Sequence, residues 1–329
     1  MRILVTGGAG YIGSHAVALL NKAGHDVWVY DSLALGHRRA VPEGRLIVGD
    51  LLDRKLLEHS LREQKIEAVM HFAALALVGE SVAEPAKYYQ NNVGGSLSLL
   101  EAMRAAGVQR IVFSSTAATY GNPKTVPITE AEPQLPINPY GFTKLVVERM
   151  LADYAHAYQF GYAALRYFNA AGASATGEIG EDHSPESHLI PIILQVALGQ
   201  RKSISIFGDD YPTPDGSCVR DYIHVDDLGA AHVRAIEMLK PGMQLKMNLG
   251  IGRGYSVREV IDACRRVTGH KIPVEMAPRR PGDPAELIAN STLAQKTLNW
   301  KPQHLDIESI VATAWRWHQA NPNGYGDRK

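Results

Sequence analysis

Tyr140 and Lys144 are four residues apart in the run Tyr140-Gly141-Phe142-Thr143-Lys144, one turn of a helix, so their side chains share a face. That pair can do specific chemistry. A phenol ordinarily ionises near pH 10, and a neighbouring ammonium favours its phenolate. A tyrosinate held at the protein interior is a base that can take a proton from a hydroxyl group near neutral pH. The spacing alone is common, so its weight comes from the surroundings. One element earlier, the strand run Arg110 to Phe113 leads into Ser114-Ser115-Thr116. Hydroxyl residues at the mouth of a parallel strand are either ordinary turn residues or hydrogen-bonding groups of a site.

A second constellation occupies Met1 to Asp31. The strand run Arg2 to Thr6 is followed by Gly7-Gly8-Ala9-Gly10-Tyr11-Ile12-Gly13, a helical pattern from Ser14 to Ala23 stopped by Gly24, and a strand run Val27 to Tyr30 ending at Asp31. Gly8, Gly10 and Gly13 fit G-x-G-x-x-G, and Gly7, Gly10 and Gly13 fit G-x-x-G-x-x-G. Glycine serves a tight turn, close backbone approach to a pyrophosphate, and close helix–strand packing, while the helix N-terminus faces the phosphate charge. Asp31 lies where a carboxylate would hold the adenosine ribose hydroxyls. It would repel a 2′-phosphate, which favours NAD over NADP.

The elements that must position these groups follow the same logic. Asn138 is an N-cap and Pro139 a first-turn proline for a helix reaching about Tyr158. Its inward face is expected to run through Tyr140, Lys144, Val147, Leu151, Tyr154 and Tyr158. A strand run Arg45 to Gly49 ends at Asp50, a helix spans Leu51 to Gln64, and Glu67 to Phe72 is another strand. Alternating β and α patterns predict an α/β, Rossmann-like, doubly wound parallel sheet. Asp50, just past a strand end, reads either as an acceptor for an adenine amino group or as a helix cap. Asn91 to Ala106 reads as a helix closed by Gly107, with Val93, Leu97 and Leu100 on one face and Leu99, Met103 and Ala106 on another. Two apolar faces predict burial by the sheet on one side and by another domain or subunit on the other. From about Ala175 the alternation breaks down. The expected division is a cofactor domain at 1–175, which the segment 219–250 could rejoin, and a smaller mixed α/β substrate domain at 176–329.

Composition narrows the classes. The chain has 329 residues, and thirty-four basic residues balance thirty-four acidic ones, so nothing points to nucleic acid or a membrane surface. Two cysteines, Cys218 and Cys264, are too few for a disulfide framework, no C-x-x-C occurs and no metal ligands are assigned. No signal-peptide pattern precedes the first strand and no apolar run spans a bilayer, so a cytoplasmic setting is expected.

The stretches VTGGAGYIGSH, HFAA…VGES, YYQNNV, FSSTAATYG, YGFTK, LRYFNAAGA, IFGDDYPTPDGSCVRDYIHVDDL and APRRPGD, spread over essentially the whole chain, resemble the extended short-chain dehydrogenase/reductase family, in particular its branch of UDP-sugar 4-epimerases. The resemblance implies that Gly7, Gly10, Tyr11, Ile12, Gly13, Asp31, Ser32, Asp50, Leu51, Phe72, Ala73, Ala74, Asn91, Ser114, Tyr140, Lys144 and Tyr167 line an NAD site. By the same resemblance Tyr140 is the catalytic base, Lys144 tunes it and binds the nicotinamide ribose, and Thr116 hydrogen-bonds the sugar hydroxyl. Asn169, His188, Leu189, Ser205, Phe207, Arg220, Tyr222, Arg280, Asp283 and Leu287 join Thr116 and Tyr140 as the UDP-sugar contacts. Arginines suit a diphosphate, and an aromatic side chain suits the uracil. The implied reaction is transient oxidation at the sugar C4 that inverts a UDP-hexose, carried out by a homodimer.

Several positions depart from the family's pattern. Ala117 and Ala118 stand where sugar-nucleotide 4,6-dehydratases carry Asp-Glu, so elimination of a 6-hydroxyl is disfavoured. Ala76 replaces a frequent lysine, and the Ser32–Arg39 loop lacks a frequent Asn-Ser pair, so the tightness of NAD retention is left open. His188 replaces a usual asparagine. Leu287, at a position linked to sugar selectivity, predicts poor turnover of N-acetylated sugars. A 4-epimerase of a UDP-pentose or UDP-uronate would use the same Tyr140, Lys144 and Thr116, and a non-catalytic NAD sensor is a remoter reading.

Overall fold

The computed structural model describes residues 1–280 and 283–327, so Pro281 and Gly282 of the APRRPGD stretch lie outside the described residues. The first half of the chain alternates as its hydrophobic pattern predicts. The elements are β1 (Arg2–Thr6), α1 (Tyr11–Lys22), β2 (Asp26–Asp31), β3 (Leu46–Val48), α2 (Arg54–Glu63), β4 (Ala68–His71), the short α3 (Val78–Ala83) and α4 (Pro85–Tyr88), α5 (Gly95–Ala106), β5 (Arg110–Thr116), α6 (Pro139–Tyr158) and β6 (Gly161–Tyr167). The second half continues with β7 (Asn169–Ala171), α7 (Leu189–Ala197), β8 (Ile204–Phe207), β9 (Val219–His224), α8 (Val225–Met238), β10 (Gln244–Leu249), β11 (Gly254–Ser256), α9 (Val257–Thr268), β12 (Val274–Ala277), β13 (Glu286–Leu287), α10 (Thr292–Leu298) and α11 (Ile307–Ala320).

A seven-stranded parallel sheet has the order β10-β6-β5-β4-β1-β2-β3. The chain winds outward from β1 to β3, then restarts at β4 on the other side of β1. Ligands bind at such a switch point, outside the carboxyl ends of the strands. Both faces are covered, and strand residues alternate between them: Ile3 and Val5 join one core cluster, while Leu4 joins the other. One face carries α1 and α8, the other α2, α5 and α6. Leu4, Leu57, Leu99 and Leu151 are fully buried, and truncating any one to alanine would cost about 2–5 kcal/mol.

The segment 219–250 divides between two sheets. β10 pairs in parallel with β6 at the edge of the large sheet, and α8 packs on α1. β9 instead centres a small sheet, flanked by β11, β13 and β7. α7, α9 and α11 pack around a separate apolar cluster that includes Ile193, Tyr222, Ile261 and Trp315. β8 pairs with β12 in a two-stranded ribbon.

Three local expectations are corrected. α1 begins at Tyr11, not Ser14, because Gly10 serves as its N-cap and the glycine motif itself supplies the first turn. Residues Tyr89–Gly94 form a π-helical turn ahead of α5, so Asn91 lies outside the α-helix proper. On α6, Lys144, Val147 and Leu151 are buried but Tyr158 is 44% exposed. Tyr158 is the last residue of the helix, where the left-handed C-cap Gln159 ends it, so it lies at the edge of the face and not over the core.

Candidate active site

The switch point opens into a cleft whose floor is built by the glycine turn. Gly7 has φ +72°, and a Cβ there would lie 2.5 Å from the amide nitrogen of Ala73. A Cβ on Gly13 would meet the Gly7 carbonyl oxygen at 2.1 Å. A Cβ on Gly8 would lie 2.9 Å from the Val29 side chain, so this position is closed as well. The first-turn amides of α1 have no intrahelical acceptor and no acidic side chain beside them, which leaves a site suited to an anion.

Asp31, at the end of β2, accepts from the Ala9 amide at 3.0 Å and from the Leu33 amide at 2.8 Å. Burial pushes its carboxyl up, and these amides partly offset the shift. Its carboxylate therefore fixes both the glycine turn and the loop that follows β2. Asp50 accepts from the Leu52 amide, but the N-cap of α2 is Asp53, which accepts from Leu56. Asp50 thus turns a loop at the cleft wall and does not cap the helix.

All seventeen residues expected around the dinucleotide line this one cleft, from Gly7 to Tyr167. A left-handed glycine, a helix start against Gly7, and a carboxylate at the end of β2 fit NAD. Other lining residues carry no motif that would mark them in the sequence: Ala34, Leu35 and Gly36 of the post-β2 loop, Leu75 to Leu77, and His183, Ser184, Pro185 and Ser187. Ala76 is exposed at the rim. Asn92 is likewise silent in the sequence. Its side chain accepts from the Leu75 amide, donates to the Leu75 carbonyl, and donates to Thr143 at 3.1 Å, tying the π-turn to α6.

Asn138 caps α6 by accepting from the Gly141 amide at 2.8 Å, with Pro139 in the first turn. That fixes the register that sends Tyr140 and Lys144 into the cleft. Lys144 Nζ donates to the Ser114 carbonyl at 2.8 Å and lies 4.8 Å from the centroid of the Phe113 ring. Burial lowers the ammonium to about 7. The expected lowering of the phenol is not what the chain's own groups produce: burial pushes Tyr140 up, and a hydrogen bond from Thr116 offsets part of that. Thr116 Oγ1 accepts from the Ala118 amide at 3.1 Å, which leaves its proton free for Tyr140. Tyr167 and Ser114 share a hydroxyl bond of 2.5 Å beside them.

Of the residues expected at the UDP-sugar, His188 lines the same cleft and Leu189 opens α7 next to it. The others gather on the small sheet and its ribbon. Asn169 stands opposite Tyr222 across β7 and β9, and Arg220 opposite Leu287 across β9 and β13. Arg220 pairs with Asp283, while Arg280 lies over the Phe207 ring at 3.9 Å and Ser205 is two residues earlier on β8. Leu287 packs with Ala117 and Tyr120, directly after Thr116, so this group adjoins the strand end that carries the hydroxyl.

Fold and cleft together define a Rossmann-type nucleotide-binding enzyme with a tyrosine–lysine pair at its centre. The chain belongs to the NAD dependent epimerase/dehydratase family, whose model matches residues 3–250. It is 56% identical to the UDP-glucose 4-epimerase of Halalkalibacterium halodurans over 326 residues, covering 99% of this chain and 98% of that one. The crystal structure of UDP-glucose 4-epimerase from Bifidobacterium longum in complex with NAD+ and UDP superposes with a TM-score of 0.94 at 42% identity, covering 99% of this chain and 100% of that one. The UDP-Glc/GlcNAc 4-epimerase from Campylobacter jejuni superposes with a TM-score of 0.84 at 41% identity, covering 97% and 99%.

Proposed function

We propose that this enzyme interconverts UDP-glucose and UDP-galactose, with Tyr140 taking the proton of the sugar 4-hydroxyl and returning it to the opposite epimer. The observation that carries this reading is that Tyr140 and Lys144 both line the dinucleotide cleft, with Lys144 bound to the Ser114 carbonyl on the strand that ends at Thr116. The Gly7–Gly13 turn, Asp31 and Lys144 would hold NAD+, which when bound would supply a reversible hydride acceptor for C4 and a positive charge beside the phenol.

The chain's own groups account for the rest. Thr116 donates to the phenolate oxygen and orients the incoming hydroxyl. Lys144, held by Ser114, keeps a cation-bearing side chain under the site and is placed to hold a ribose hydroxyl. Ala117 and Ala118 offer no proton to a leaving 6-hydroxyl. Arg220 and Arg280 supply charge for a diphosphate, and Phe207 a face for uracil. We read residues 1–175, with α8 and β10, as the NAD-binding unit and the remainder of 176–329 as the UDP-sugar unit.

We further propose a cytoplasmic homodimer joined through α5 and α6. Leu97 on α5 and Phe142 and Tyr158 on α6 are exposed, and Tyr89 is exposed beside Phe142. A dimer mass by light scattering at micromolar concentration supports this; a monomer mass refutes it. The function itself is tested by incubating the purified protein with UDP-galactose, without added NAD, and resolving UDP-glucose by chromatography. Conversion supports the reading. Conversion only after NAD is added would trace to weak retention around Ala76, and none even then would contradict it.

A further inference from the structure

Between Gly180 and α7, the loop Glu181-Asp182-His183-Ser184-Pro185-Glu186-Ser187-His188 brings two imidazoles and two carboxylates to one point. One ligand atom from each of Glu181, His183, Glu186 and His188 lies within 4.8 Å of all the others. His183 Nδ1 is 3.2 Å from Glu181 Oε1 and 3.7 Å from Glu186 Oε1, and His188 Nδ1 meets the same Glu181 oxygen. We propose that these four side chains bind one divalent transition-metal ion of the zinc or cobalt class.

Burial and charge argue for it. The Glu181 and Glu186 side chains are only 4% and 3% exposed. Among the described residues neither has an ion pair with lysine or arginine; their partners are the two imidazoles and, for Glu186, the Ser187 and His188 amides at 2.8 and 2.9 Å. Buried carboxylates are normally matched by a cation or by a metal. Geometry agrees. Zinc–nitrogen and zinc–oxygen bonds of about 2.0–2.1 Å in a tetrahedron separate neighbouring donors by about 3.3 Å. The contacts in this loop bracket that spacing, so small side-chain rotations complete the sphere. Two imidazoles favour zinc or cobalt over the oxygen-seeking magnesium and calcium.

The site has a structural consequence. His183, Ser184, Pro185, Ser187 and His188 form one wall of the cleft, and the ring of His183 meets Tyr11 edge-on at 6.1 Å. A metal joining residues 181 and 188 would staple both ends of that wall. This proposal stands apart from the catalytic reading, because its readout is bound metal and not turnover.

The test uses the full chain without an affinity tag, stripped with a chelator and titrated with Co2+. One equivalent is expected, with the intense visible bands of a tetrahedral ion. Zn2+ should bleach them, and a large excess of Mg2+ should not. His183→Gln and Glu186→Gln, made separately and checked for folding by circular dichroism, should each weaken Co2+ binding at least tenfold. A wild-type chain that retains no Co2+ at micromolar concentration, or a folded variant that retains it equally well, overturns the proposal.

Discussion

The ammonium of Lys144 lies 2.8 Å from the carbonyl oxygen of Ser114, two strand residues before Thr116. That bond anchors the second turn of α6 to β5, the strand that ends at Thr116, one helical turn after Tyr140. Acid–base chemistry at this site therefore depends on two elements, and each can be perturbed separately.

Replacing Thr116 by valine keeps its shape and removes the hydrogen bond that opposes the upward shift of Tyr140. Only the deprotonated phenol accepts a proton, so activity falls as pH drops below the phenol's pKa. Thr116→Val should move that acid limb to higher pH and lower kcat at pH 7 by about tenfold or more, each pH unit of displacement being tenfold in phenolate. Thr116→Ser should largely restore both. A valine variant with the wild-type pH profile would remove Thr116 from the proton path.

Lys144 makes a stability prediction with a defined sign. Its ammonium falls from 10.5 when unfolded to about 7 in the fold, because it is buried. Between those values the unfolded chain binds more protons, so this group makes stability rise with pH, by at most about 1.4 kcal/mol per unit. In cofactor-free protein, wild type should gain stability relative to Lys144→Met as pH goes from 8 to 10. Urea unfolding at each pH measures the difference. A flat or falling difference would contradict the burial of this group.

A buried ion pair joins β6 to α6 beneath the strand ends. Arg166 Nη2 donates to Glu148 at 2.6 Å and Nη1 to the Tyr120 hydroxyl at 2.8 Å, and Tyr120 reaches Asn248. Both charged side chains are 3% exposed or less. Arg166→Met strands the Glu148 charge and should cost about 3–5 kcal/mol in urea unfolding, with much of it recovered in the Arg166→Met, Glu148→Gln double variant. A single-variant loss below about 1 kcal/mol would mean that solvent reaches the pair.

Much of this is legible from spacing. The strand–glycine–helix–strand–acid order, the Asn138 cap and the Tyr140–Lys144 turn all rest on local rules, and the sheet forms where alternation predicts it. What escapes the sequence depends on contacts between distant segments. Nothing local says that Lys144 will spend its proton on Ser114, or that Asn92 will latch residue 75 to α6. The exposure of Tyr158 follows from where α6 ends, which its i, i+3 and i, i+4 spacing does not show. The E-x-H-x-x-E-x-H spacing of residues 181–188 is visible in the sequence, but its convergence in a loop is not.

Leu287 packs against the cluster of Ala117, Tyr120 and Ile128, and we propose that it limits the room for a bulky sugar substituent. Turnover of UDP-N-acetylgalactosamine should be slower than that of UDP-galactose, and Leu287→Ala should narrow the gap, within the roughly 1–3 kcal/mol that apolar packing supplies. Equal kcat/KM for both sugars in the wild type would show that Leu287 does not set the range.

The fate of the C4 hydrogen tests the proposed chemistry most directly. UDP-galactose carrying deuterium at C4 should be converted in ordinary water to UDP-glucose that retains deuterium at C4, read by mass spectrometry or NMR. Retention is the result expected if the same hydride leaves and returns while Tyr140 handles only the hydroxyl proton. Replacement of that deuterium by solvent hydrogen would mean that C4 itself is deprotonated, and would contradict the proposed roles of Tyr140, Thr116 and the dinucleotide cleft.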